Sequence, residues 1–439
     1  MVTFVPHASV PHSFAPFRCI LICRTLFRRS LAKRFVTARL KLYGIEAPAR
    51  RKVAMCRGRF ITVLVTTMFL NTLSFAGTYV AYAVGSTSCD KHLVGYQTIQ
   101  AAVNAVPSGS TIEVCPGIYP EQVVISKPLT LTAFTVAASE ASNAEVLIQI
   151  PAGGATGRVY DGIIGNIYSQ ILVSSTGPVN IADIAFDGTG NNIPDGWGNL
   201  AAVFYEESSG TVNGVSVANE IDDGGGMGIV AAANTIQTVT VENSDFRSFD
   251  CLGIWGATNT SSSLTLNVKS NTISDTGANG VYSGTDGVYL LGSVSGTIES
   301  NLVNGSGNGF SMVLDGSAAT ITANTIIAGT IDGPPNSGIE VNGGANTVKG
   351  NRILSGPIGV GIVLTGTATG GSVTGNTITG GSGGYGIDMC GQGTASGFTV
   401  TGNTIVDTPG FGLRMPASGN KTAPNTYYVD GATPVVVGC

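Results

Sequence analysis

Between residues 181 and 405 one short pattern recurs nine times: an aliphatic residue, two spacers, usually Asn, one spacer, then an apolar residue. Ile181/Ile184/Phe186 is the first such rung, Val268/Asn271/Ile273 a middle one and Val400/Asn403/Ile405 the last. The middle positions are separated by 23 to 31 residues. A period in this range is that of a solenoid, in which each unit buries its apolar face only against its neighbours. The units read as β. Charged residues make up only 11% of the chain, which contains 62 Gly. No stretch of about a dozen residues within the repeats combines a 3.6-residue period with good helix formers. A second strand follows most rungs and opens on Gly, as in Gly253-Ile254-Trp255, Gly287-Val288-Tyr289, Gly309-Phe310-Ser311, Gly338-Ile339-Glu340 and Gly412-Leu413-Arg414. Two or three such strands per coil, stacked in parallel, predict a β-helix. Asn at the turn tolerates a left-handed backbone, and stacked Asn amides are expected to hydrogen-bond from coil to coil.

The segments Thr98–Val106, Gly109–Tyr119 and Val123–Ile125 add a more specific signal. They resemble the start of right-handed parallel β-helix proteins of the pectin-lyase-like superfamily, and the resemblance spans about residues 94 to 415. It implies an all-β fold, a single right-handed parallel β-helix solenoid with an N-terminal capping α-helix. Ile99, Ala102, Val103 and Val106 would form the apolar stripe of that helix. The expected organisation is a cap and first coil over 84–130, the β-helix over 131–415 and a C-terminal cap over 416–439. Cys89 and Cys115 flank the capping helix and are expected to form a disulfide; Cys390 with Cys439 could close the other end, leaving Cys251 buried. The resemblance does not fix an activity, because the superfamily holds lyases, hydrolases, esterases, epimerases and adhesins.

The N-terminus bears on compartment. Residues 60–84 carry no charge, follow Arg57 and Arg59, and contain the small-x-small tripeptide Ala81-Tyr82-Ala83. Residues 55–83 therefore read as a secretory signal peptide, and the protein as secreted or displayed at the cell surface. Left uncleaved, the stretch is long enough to anchor the chain in a membrane. Residues 1–54 are rich in Arg and read as a non-native or disordered leader ahead of a start at Met55, a transit peptide being the alternative. Without residues 1–83 the chain keeps nine of its 22 bases and 26 of its 27 acids, a net charge of −17. So acidic a body argues against nucleic acid, which needs clustered Lys and Arg. It also disfavours polyanionic polysaccharides unless Ca²⁺ bridges the carboxylates. A neutral polysaccharide is the expected partner.

Several chemistries are excluded by residue type. His92 is the only histidine after residue 83, which argues against a Ser-His-Asp triad and any multi-His metal site. No C-x-x-C pair occurs, and no cofactor is required, although Ca²⁺ is compatible with the acidic body. Gly380–Gly384 matches G-x-S-x-G but has no triad partner, and Asp222-Asp223 leads only into glycines. The motifs of the superfamily's pectin methylesterases, polygalacturonases and pectate lyases are not found in this sequence.

Register singles out the remaining candidates. Residues at one offset stack about 4.8 Å apart per coil. One outward row passes through Glu242, Lys269 and Glu299; Lys269 could act as a β-elimination base, but its neighbours favour an ion-pair ladder. A second row reads Trp255, Tyr289, Ser311, Glu340, Val363, Asp388, Arg414. Trp255 and Tyr289 suit sugar rings, with Arg414 as a further contact. Glu340 and Asp388, two coils apart, are the candidate catalytic carboxylates, because inverting glycosidases hold theirs at ~6.5–9.5 Å. Asp388 could equally pair with Arg414. The insertion Asp187–Trp197 offers oxygen ligands without the spacing of an EF-hand loop. The sequence therefore predicts a secreted β-helix that contacts, and in one reading cleaves, a polysaccharide along one face. The alternative is a non-catalytic, adhesin-like rod.

Overall fold

The computed structural model describes residues 76–439 apart from 135–145, 158, 194–198, 223–224, 260–263, 276–285, 306–310, 328–336, 355–358, 367, 381–384, 392, 394, 409 and 429–432. The leader, most of the uncharged segment, the Gly309-Phe310 pair and the Asp195–Trp197 end of the long insertion lie outside the described residues.

Apolar alternation in each rung puts one aliphatic side chain of every strand inward, and stacking does the rest. The strands form three long sheets of 13, 12 and 13 strands, here called A, B and C, and the chain visits them in turn. Neighbouring strands along each path are parallel; the one antiparallel pair among the described residues, Val159–Asp161 with Gly165–Val173, lies off the path of sheet C. Ile181, Val212, Val241, Val268 and their successors fall in strict register on sheet A. One continuous apolar cluster runs the length of the solenoid.

The turn from A to B holds the Asn ladder. Asn271 Nδ2 donates to Asn301 Oδ1 at 3.0 Å, and the same bond links Asn301 to Asn324, Asn351, Asn376, Asn403 and Asn425 in succession at 2.9–3.0 Å. Each Asn also receives its predecessor's main-chain N–H and returns an Nδ2 bond to a carbonyl of the coil before. The left-handed residue is not the Asn, as the sequence suggests, but the one before it: Ser270, Ser300, Ala323, Gly350, Gly375 and Gly402 have φ of 54° to 68°. The buried Asn is there for its amide.

The turn from B to C explains the Gly-led strands. A Cβ on Gly361 would lie 2.4 Å from Ile378 Cγ2, and one on Gly386 2.6 Å from Ile405 Cγ2. The sheets converge there, and only a residue without a side chain lets the inward aliphatics of B fill the corner.

At the N-terminal end, α1 (Ile99–Ala105) starts on Thr98, whose side chain accepts from Ala101 N–H. The Glu121 carboxylate accepts from the N–H groups of Ile99 and Gln100 at 2.8 and 3.0 Å. Ile99, Ala102, Val103 and Val106 are buried in the core, as their spacing predicts. Beside the helix, Cys89 is bonded to Cys115, and at the far end Cys390 is bonded to Cys439. Cys251 is buried and belongs to neither bridge. Two disulfides are the mark of an oxidising environment. A short strand, β1 (Thr78–Ala81), pairs with Gly95–Tyr96 and with Thr111–Val114 and buries Val80 and Ala81. The Ala81-Tyr82-Ala83 tripeptide is thus part of the folded body, with Ala81 and Ala83 in the core.

Candidate functional site

The outer faces of the sheets differ. On sheet A the outward row Thr211, Thr240, Asn267, Thr297, Thr320, Thr347 is half-buried throughout. Beside it Lys269 pairs with Glu299 at 3.1 Å, both about a third exposed. Lys269 is an ion-pair residue beside this polar row.

On sheet C the register sets out the second row as Phe204, Val230, Trp255, Tyr289, Val313, Glu340, Val363, Asp388, Arg414. Val313, not Ser311, follows Tyr289, because Ser311 rather than Gly309 takes the corner position opposite Gly287 in this coil. The row divides in two. From Phe204 to Val313 it is sealed: Trp255 is 2% exposed and Tyr289 6%, their rings stack at 6.2 Å between centroids, and Ile163 and Ile164 belong to the same apolar cluster. The expectation of an exposed Trp255–Tyr289 platform therefore fails. Outward-facing on the strand does not mean exposed: this half of the face lies in one apolar cluster, which Ile163 and Ile164 of the turn after Val159–Asp161 join. Asp161 holds that turn, accepting from the N–H groups of Ile163 and Ile164 at 2.6 and 3.0 Å.

The second half is polar. Glu340 is fully buried and accepts from Asn342 Nδ2. Two rungs on, with Val363 between, stands Asp388, so the backbones are about 9–10 Å apart. Asp388 is bound in a fork: Arg414 Nε donates to Oδ1 at 2.8 Å, Arg414 Nη2 donates to Oδ2, and Cys390 N–H donates to Oδ1 at 2.9 Å. These bonds raise the Arg414 guanidinium further above its ordinary range, its hydrogen bond to Asp388 outweighing burial. A carboxylate held this way is anchored. The fork aims Arg414 over the ring of Phe411, 5.1 Å from its centroid, and Phe411 stacks on Tyr385 at 4.4 Å and 26°. Both rings are half-buried, so this stack, unlike Trp255–Tyr289, is reachable from solvent. Sequence reasoning missed it. Its signal is an aromatic residue immediately before the strand glycine, at Tyr385-Gly386 and Phe411-Gly412.

A further acidic group missed from sequence stands at the other end of this face. Burial, and then the charges of Asp161 and Glu207, push the Glu206 carboxyl up, and burial pushes Asp161 up as well. Neither belongs to the rung pattern. Among the described residues no group of three or more His, Cys, Asp or Glu is arranged to hold a metal, and no helix is long and apolar enough to cross a membrane.

Comparison with known proteins agrees with this geometry. Residues 252–427 match the family described as a right-handed β-helix region. Among solved structures, the A-module of the Azotobacter vinelandii mannuronan C-5 epimerase AlgE4 is similar at 14% identity, with 78% of this chain and 92% of that one covered and a TM-score of 0.53. The Dettilon tailspike protein is similar at 18% identity over 75% of this chain and 62% of its own, with a TM-score of 0.51. No curated protein matches the sequence. At such identities the likeness is one of fold, which this chain shares with carbohydrate-active enzymes. The described chain is a parallel β-helix, and its residues 252–427 match the right-handed β-helix family.

Proposed function

We propose that this is an exported β-helix that binds a neutral polysaccharide along the polar half of the outer face of sheet C. The observation that carries the reading is the half-open Tyr385–Phe411 stack with Arg414 fixed over it. A flat apolar ring suits the C–H face of a pyranose, and a guanidinium held by a fork of hydrogen bonds offers its remaining N–H groups to sugar hydroxyls. The net charge of −17 after residue 83 favours a neutral chain over a uronate. Cleavage by Glu340 and Asp388 is the less favoured part of the earlier expectation. Their spacing suits an inverting pair, but Asp388 is committed to Arg414 and Cys390, where a general acid or base needs a free proton site. Trp255 and Tyr289, sealed as they are, support the face rather than touch the ligand.

The α1 helix closes the N-terminal end of the core in this reading, with Ile99, Ala102 and Val103 covering the first coil. Export also belongs to it. A cut after Ala83 would remove β1 from sheet A, so processing falls before Thr78, and Ser74-Phe75-Ala76 is the small-x-small tripeptide upstream. Mass measurement of the exported protein checks this; an N-terminus at residue 84 would refute it.

The test of binding is a glycan panel read for retention and for released reducing or unsaturated ends, with and without Ca²⁺. Retention without products, lost in Tyr385→Ala and Phe411→Ala, is the expected result. Products that vanish in Glu340→Gln would make the protein an enzyme. No retention on any glycan would leave a structural rod.

A further inference from the structure

Where sheet B turns into sheet C, at the base of the long insertion, buried oxygens gather without donors. Glu220 is fully buried, and neither of its carboxylate oxygens receives a hydrogen bond. Backbone geometry puts it there. Asn219 has φ of 58°, which breaks the strand's alternation, so Val217 and Glu220, three apart, both point inward. Gln170, from the strand Gly165–Val173 of sheet C, is also fully buried. Its Nε2 donates to the Asp187 carbonyl at 2.6 Å, and its Oε1 has no partner. The two groups converge on Gly188. Gln170 holds the carbonyl that precedes this residue, and a Cβ on it would lie 2.8 Å from Glu220 Oε2 and 2.6 Å from the Asn219 carbonyl. Any side chain at 188 would fill the space.

The surroundings are negative. Asp187 and Asp250 stand close enough to add, after burial itself, to the upward push on the Glu220 carboxyl. Asp187 accepts from Thr189, Asn219 and Gln149; Asp250 accepts from the N–H groups of Asp222 and Gly226 at 2.9 and 2.5 Å. Neither Glu220 nor Asp187 forms an ion pair among the described residues. A proton on Glu220 would supply one donor to a place with three unmet acceptors. A hard divalent cation would satisfy all three, since Ca²⁺ takes 6–8 oxygens from carboxylates, amide side chains, main-chain carbonyls and water.

We propose that Glu220 and Gln170 bind a calcium ion at the corner beside Gly188. The ligand set is mixed, with one carboxylate, one amide oxygen and main-chain oxygens, and so differs from a cluster of acidic side chains. Bound there, the ion ties a strand of sheet B to a strand of sheet C and fixes the start of the Asp187–Trp197 insertion. The site is independent of the glycan reading.

The experiment is calcium titration of the folded chain after EGTA treatment and dialysis, by calorimetry and by thermal melting. One Ca²⁺ per chain is expected. The melting temperature should rise by about 3–5 °C once Ca²⁺ exceeds Kd a hundredfold. Glu220→Gln should lose both effects, and Gln170→Met, which keeps the carboxylate, should weaken binding by about tenfold or more. Absence of binding, or binding unchanged in both variants, would overturn the proposal. A protonated Glu220 would then be indicated if, without Ca²⁺, Glu220→Gln melts above the wild type at pH 8 and level with it at pH 4. An acid with a raised folded pKa contributes stability at low pH that is lost as pH rises.

Discussion

The two halves of one row on sheet C show what the β-helix repeat does and does not decide. From Phe204 to Val313 and from Glu340 to Arg414 the strands keep the same register and a small residue at the corner, Ala202 and Ser311 standing in the first half where the other coils have glycine. The first half carries large apolar residues and is sealed; the second carries Glu340, Asp388 and Arg414 and ends on a half-open aromatic stack. The inward face is set by the solenoid and cannot differ between them. The outward face is set by what the turns lay over it. Function in such a fold follows the cover, coil by coil.

The largest expected effect tests the sealed half. Trp255→Ala should cost about 3–5 kcal/mol, because it opens a cavity in a dry cluster and recovers no hydrogen bond. Denaturant melts would measure it. Glycan retention should persist at temperatures where the variant is folded. If the variant loses retention and keeps its stability, Trp255 is a ligand contact after all, and the distinction between the halves collapses.

Asp388→Asn comes next. It replaces the fork to Arg414 with at most a neutral hydrogen bond. Arg414 is a third exposed, so water takes up part of the loss and the cost should be about 1–2 kcal/mol. With Arg414 released from its place over Phe411, retention should also fall. Full stability with full retention would show that the fork positions nothing. Tyr385→Ala, at a half-open stack, should cost less than about 1 kcal/mol of stability but weaken retention by roughly tenfold. The pair Trp255→Ala and Tyr385→Ala thus exchanges its effects: stability in one half, binding in the other.

Much of this was legible in the sequence. The period, the inward aliphatics, the Asn ladder and the helix stripe all depend on spacing along the chain, and all are found where spacing puts them. The Trp255–Tyr289 stack was legible as a contact, because register alone makes them neighbours. Its burial was not, because the apolar cluster that encloses it includes residues such as Ile163 and Ile164 that lie outside the rung pattern. Ser311 falls elsewhere for a related reason: in this coil it takes the corner position that glycine holds in the neighbouring coils, so a count from Gly309 lands two residues early. Glu220 was hidden by one left-handed residue, Asn219, which turned an outward position inward. Tyr385 and Phe411 sit one position before the glycine that marked the strand start, and so fell outside the row being read.

The smallest effect extends the comparison to sheet A. Lys269 stands in its own row between Glu242 and Glu299. Its pair with Glu299 is about a third exposed on each side, so water and salt screen it and it competes with side-chain entropy. Lys269→Met should change stability by no more than about 0.5 kcal/mol and leave glycan retention and any product release as they were. A larger loss of stability would mean that the Glu242–Lys269–Glu299 ladder acts as a network. A loss of product release alone would revive Lys269 as an elimination base and move the active face from sheet C to sheet A. The prediction is small because Lys269 sits in a screened surface pair, whereas the polar half of sheet C has a charged group held by hydrogen bonds and aimed at a ring.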